Sequence, residues 1–189
     1  MRLKKSALLM VALLVLVSAN LMAQTADTYG AVDTVYAEPY KIDAKHWGIN
    51  ISMFNDEEII AISVPVTFSA GNNRLVADST IFTGGRAEAF RVKFARPDTT
   101  TQCLTIGLIA DIGVSVPPIP PGKGRIATIF VSSLDGKEIT SFKVDSTTTP
   151  PGNSLQLVKQ PSDGIYPAFV VKKAVEKEAA KEAEKKEKK

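Results

Sequence analysis

Ile59-Ile-Ala-Ile-Ser-Val-Pro-Val-Thr-Phe68 decides the fold class. Ile60, Ile62, Val64, Val66 and Phe68 alternate with Ala61, Ser63, Pro65 and Thr67, a period of two that marks a strand rather than a helix. Successive side chains leave a strand on opposite faces, so one face meets a core and the other meets water or a partner. Pro65 lacks a backbone N–H, so this strand is expected at a sheet edge or with a bulge at that residue.

The same period recurs on both sides of that stretch. Trp47, Ile49, Ile51 and Met53 alternate with Gly48, Asn50 and Ser52; Phe90, Val92 and Phe94 alternate with Arg91 and Lys93. Leu104, Ile106, Leu108, Ala110 and Ile112 alternate with Cys103, Thr105, Gly107, Ile109 and Asp111. Turn-forming clusters separate the runs: Asn55 to Glu58, Ala70 to Asn73, Thr83 to Gly85, Arg96 to Asp98, the proline-rich Pro117 to Gly122, and Thr147 to Asn153. Leu134-Asp135-Gly136-Lys137 carries an Asp-Gly pair suited to a hairpin turn. Nine or ten strands and no amphipathic helix before residue 172 predict an all-β, antiparallel two-sheet sandwich.

Both ends differ from this middle. Residues 1–23 read as a secretory signal peptide, with Arg2, Lys4 and Lys5 before an apolar run from Ala7 to Val17 and small residues at Ala19 and Ala23. The run is shorter than the roughly 20 apolar residues a spanning helix needs. Export through the inner membrane to the periplasm, surface or medium is therefore expected, with no stable membrane span after cleavage. Residues 172–189 contain only Lys, Glu, Ala and Val175, strong helix formers without an apolar stripe, and predict a charged, solvated helical tail.

The 189 residues are 44% hydrophobic and 23% charged, a globular composition, with a net charge of +3. Residues 24–171 hold 12 Lys and Arg against 15 Asp and Glu, hence −3. The positive charge sits at the ends, which removes the main electrostatic support for nucleic-acid binding.

Chemistry is sparse. One His and one Cys exclude a multi-His zinc site, an internal disulfide and a CxxC pair. His46 would have to serve any Ser-His-Asp hydrolase, yet no G-x-S-x-G elbow supplies its nucleophile. Cys103 reads as a small buried residue. Asp56, Glu57 and Glu58 are oxygen ligands of the kind calcium takes, but three adjacent side chains diverge and no D-x-D-x-D-G loop is present. A solvated turn is the favoured reading there. Sugar stacking needs flat exposed aromatics, whereas the single Trp has apolar periodic company and Tyr29, Tyr36, Tyr40 and Tyr166 are scattered.

Several segments together resemble bacterial cohesin domains, the β-sandwich receptor modules of cellulosome-type assemblies. They are Trp47-Gly-Ile-Asn-Ile-Ser-Met-Phe-Asn55, Ile59 to Phe68, Leu75-Val-Ala-Asp-Ser-Thr-Ile-Phe82, Ile106-Gly-Leu-Ile-Ala-Asp111 and Pro121-Gly-Lys-Gly-Arg-Ile-Ala-Thr-Ile-Phe130. The likeness spans residues 29–171. Phe68-Ser69 stands where the family commonly has Tyr-Asp, and the proline loop before Gly122 is unlike cellulosomal scaffolds.

The resemblance implies a nine-stranded jelly roll that binds a dockerin-type, calcium-bound protein partner through one sheet face. It implies no catalysis, no cofactor and no metal in this chain. Carried onto this sequence, the face comprises outward positions of strands at 59–68, 90–96, 103–112 and 124–132, with Ser63, Thr67, Arg91, Lys93, Thr105 and Asp111 as candidate contacts. Polysaccharide binding, or a structural role at the cell surface, is the alternative that the shared architecture leaves open.

Overall fold

The computed structural model describes residues 27, 29–111, 116–149 and 152–176. The signal peptide expected at residues 1–23 lies outside them, as do Ile112 and most of the charged tail. No helix of the described residues is long and apolar enough to cross a membrane.

Among the described residues, twelve strands form two six-stranded sheets, in place of the nine or ten predicted. The first sheet runs in the order β11 (Ala168–Val171), β1 (Thr34–Lys41), β2 (His46–Asn55), β7 (Gly122–Ser133), β4 (Leu75–Ile81), and β12 (Val175–Glu176) also pairs with β1. The second runs β10 (Asp163–Ile165), β9 (Gln156–Lys159), β3 (Ile59–Ser69), β6 (Cys103–Ile109), β5 (Val92–Asp98), and β8 (Lys143–Ser146) also pairs with β3. Pairing is antiparallel except that β1 runs parallel to both β11 and β12. The predicted all-β sandwich is the observed architecture.

The core fills the space between the sheets as the alternation requires. Ile49, Ile51 and Met53 on β2, Val64 and Val66 on β3, and Ile106 and Leu108 on β6 are fully buried. Trp47 closes one end, stacked on Phe142 with ring centroids 4.8 Å apart. Cys103 is buried as expected. At the start of β3, Ile59 rather than Ile60 takes the core position, because the pairing with β9 shifts register between Ile59 and Ala61.

Pro65 is accommodated differently from the expectation, since β3 is an interior strand. On one side β3 pairs with β9 as far as Ser63 and with β8 only from Val66, so Pro65 faces the gap between two partners. Its carbonyl accepts a hydrogen bond from the Thr147 N–H at 3.3 Å on that side. A residue's N and O point the same way along a ladder, so the missing donor falls where no ladder acceptor waits. The strand has a local edge at that one residue.

Three other expectations are corrected. The Leu134–Lys137 turn forms, with Gly136 at φ 68°, but joins strands of opposite sheets rather than a hairpin. Residues 172–176 are extended rather than helical: the Lys172 N–H donates to the Ala37 carbonyl, and Tyr40 and Lys41 pair with Val175 and Glu176. Backbone pairing available at the β1 edge overrides helix propensity there. The third concerns β5 and bears on the site.

Candidate functional site

The outward face of the second sheet is built by strand register. Phe94, Gly107, Ser63 and Gln156 form one row across β5, β6, β3 and β9. Arg96, Thr105 and Pro65 form the next, and Asp98, Cys103, Thr67 and Asp145 the one after. Ser63, Thr67 and Thr105 are thus brought onto one face, as the sequence reading placed them. The strand at 124–132 is not: β7 belongs to the opposite sheet.

The middle row is partly covered. Asn153 Nδ2 donates to Thr105 Oγ1 at 2.9 Å and to the Thr149 carbonyl at 3.2 Å. Thr67 Oγ1 donates to the Gln102 carbonyl at 3.3 Å. Thr105 and Thr67 are therefore already engaged within the chain, whereas Phe94 is 45% exposed.

Parity on β5 is the reverse of the prediction. Phe90 is buried in the turn before the strand, its N–H donating to the Ala87 carbonyl. The strand then begins at Val92, after a bend that breaks the alternation. Val92, Phe94 and Arg96 consequently pair with the outward Ile109, Gly107 and Thr105, while Lys93 pairs with the core residue Leu108. The Lys93 ammonium donates to the carbonyls of Glu88 and Phe90, in the segment just before the strand. Arg91 and Asp111 lie beyond the strand ends, and the Arg91 N–H donates to the Ala110 carbonyl at 3.3 Å. Phe94 was missed in the sequence; the signal was Gly107 inside an otherwise apolar strand, since a strand glycine marks close approach.

His46 is exposed at the start of β2, its Nδ1 2.8 Å from Asp43 Oδ1. The acidic turn after β2 is more informative. Gly30, at φ 55°, presses against Asp56 so closely that a Cβ there would meet Oδ2 at 2.0 Å, and the Ala31 N–H donates to that oxygen. Asp56 N in turn donates to Asp33 Oδ1 at 3.1 Å. One carboxylate oxygen each of Asp33, Asp56 and Glu57 then lie within 4.8 Å of one another. Burial pushes the Asp33 carboxyl up to about 6 and the Glu57 carboxyl up to about 7, and neighbouring carboxylates add to both. Asp56 is held below the usual range, chiefly by the Ala31 N–H. Glu58 is exposed. Asp33 lies 23 positions before Asp56, so the sequence run alone did not reveal this grouping.

No protein-family model and no curated protein matches the sequence. Solved structures do match in fold. The sixth cohesin of scaffoldin B from Acetivibrio cellulolyticus, in complex with a Cel5 dockerin mutant, superposes with a TM-score of 0.55 at 11% identity, over 77% of this chain and 98% of that one. The Coh-OlpC-Doc435 structure, a type I cohesin–dockerin complex from Clostridium thermocellum, gives 0.56 at 9% identity, over 80% and 96%. A type II cohesin domain from the cellulosome of Acetivibrio cellulolyticus gives 0.50 at 14% identity, over 76% and 93%. The fold is that of cohesin domains.

Proposed function

We propose that this chain is an exported, non-catalytic docking module that binds a dockerin-type, calcium-loaded protein partner. The supporting observation is the fold, which it shares with cohesins whose structures were solved with dockerins bound. The outward face of the second sheet is the docking surface in this reading. Interfaces concentrate their energy in a few central aromatic and Arg anchors within a polar rim. Phe94 and Arg96, on the edge strand β5, supply an aromatic and an Arg anchor of this kind; Ser63, Gln156 and Arg91 supply polar contacts beside them. Thr67, Thr105 and Asp111 stay in the candidate set, with the threonine hydroxyls already bonded internally.

Surface plasmon resonance of the full chain against calcium-loaded dockerin repeats tests this, with immobilised polysaccharides as the second arm. Saturable binding to dockerin repeats supports the docking role. Binding to polysaccharide alone moves the reading to the carbohydrate-binding alternative. Export is tested by N-terminal sequencing of protein recovered outside the cytoplasm, where a start at Asn20 or Gln24 is expected.

A further inference from the structure

The cluster at the foot of β1 has more buried negative charge than the protein around it satisfies. Asp33 is fully buried, and its Oδ2 has no hydrogen-bond partner. Asp56 Oδ1 and Glu57 Oε2 are likewise buried and unpartnered. Buried polar atoms are almost always paired, so three orphan oxygens, on residues whose carboxylates come within 4.8 Å of one another, need a missing partner. A buried carboxylate without one is costly, and like charges raise that cost.

No cation of the chain fills that role among the described residues. Their ion pairs join His46 to Asp43 and Lys172 to Glu38. Arg86 spends its guanidinium on Asn55 Oδ1 at 2.6 Å, the Gly122 carbonyl at 2.8 Å and the Pro120 carbonyl. Asp27 adds a fourth carboxylate to the region: its Oδ2 accepts from Asp33 N at 2.7 Å and its Oδ1 from Tyr29 N at 3.0 Å.

We propose that Asp33, Asp56 and Glu57 form a calcium site that ties the segment before β1 to the turn between β2 and β3. Calcium takes oxygen ligands at about 2.3–2.6 Å, so oxygens on opposite sides of the ion stand roughly 4.6–5.2 Å apart. The observed spread of up to 4.8 Å fits that shell. Magnesium, at about 2.0–2.1 Å, needs a tighter cage. This site is separate from the docking face and needs no partner protein.

Isothermal titration of the full chain, stripped with chelator, with calcium chloride alone provides the test. One calcium per chain is expected, with a Kd on the order of 0.1–1 mM as in extracellular modules. At 10 mM calcium, Tm should rise by about 3 °C or more at pH 7.5, and equimolar magnesium should give a smaller shift. Glu57→Gln and Asp56→Asn should each weaken binding at least tenfold, while Asp43→Asn, in a distant exposed turn, should bind like wild type. A folded wild-type protein with no binding heat and no Tm shift at 10 mM overturns the proposal. So does undiminished binding by a folded Glu57→Gln variant. Because no dockerin is present, neither result bears on the docking role.

Discussion

The Phe94 ring lies across the α-carbon of Gly107 on the neighbouring strand, so close that a Cβ at 107 would stand 2.0 Å from the ring's Cζ. An exposed aromatic is held flat by the absence of a side chain beneath it. Glycine leaves strand backbone uncovered, and the cross-strand ring covers it again.

Phe94→Ala should therefore weaken partner binding by at least tenfold, in line with truncation of an aromatic anchor worth about 2 kcal/mol. Its fold should persist, because nearly half of the side chain is already exposed. Gly107→Val should weaken binding too, by lifting the ring, although it removes no contact group. Dissociation constants by surface plasmon resonance, with circular dichroism as the fold control, decide this. Unchanged binding in both folded variants would place docking elsewhere.

Adjacent residues on β6 should behave oppositely. Ile106 is fully buried, and Ile106→Asp should abolish folding, since an unpaired buried carboxylate costs several kcal/mol against a total near 5–15. Thr105→Asp keeps an acceptor for Asn153 Nδ2 and should lower Tm by no more than a few degrees. Thermal melts of the two proteins compare them directly.

Stability without calcium should fall as pH rises from about 4 to 7. Asp33 and Glu57 hold their protons to about 6 and about 7 in the folded chain, against ordinary values of 3.8 and 4.5. In that window the folded state binds more protons than the unfolded one, so raising pH favours unfolding. Asp43, Asp56 and Asp98 are shifted downward and act with the opposite sign, at pH below about 4. Urea midpoints across pH 4–8 should show the decline, and Asp33→Asn with Glu57→Gln should flatten it. A flat wild-type profile would show that these carboxyls titrate normally.

Truncation should divide the charged tail in two. Removing residues 177–189 should leave Tm within about 2 °C. Removing everything after Val171 also deletes the Lys172–Ala37 hydrogen bond, the pairs with Tyr40 and Lys41, and the Lys172–Glu38 ion pair. At about 1 kcal/mol per net hydrogen bond, that should cost about 2–4 °C or more.

The sandwich was legible because its strands keep strict alternation through Trp47 to Met53 and Leu104 to Ala110, and each apolar set is the one observed in the core. Period two says nothing about where pairing begins. Phe90, Val92 and Phe94 look like one strand in sequence, yet a bend after the buried Phe90 reverses the parity of β5, so Phe94 and Arg96 were hidden behind Arg91 and Lys93. The acidic cluster was half visible. Asp56 and Glu57 stood in an obvious turn, but Asp33 reaches them only because β1 pairs with β2 from Thr34 to Phe54, a long-range register that local pattern does not encode.

The parallel pairing of β1 with β11 and β12 determines how the domain answers to force. The chain enters β1 at Thr34, and the segment through Glu176 leaves beside Lys41, at the opposite end of the same ribbon. Tension drawn between these points runs along the strands and loads the pairs from Thr34–Ala168 to Ala37–Val171 together, in shear. A hairpin pulled at its open end would instead surrender its bonds one by one. Resistance to such pulling is a matter of unfolding rate rather than equilibrium stability, so this domain should withstand sustained pulling better than its modest terminal strands suggest.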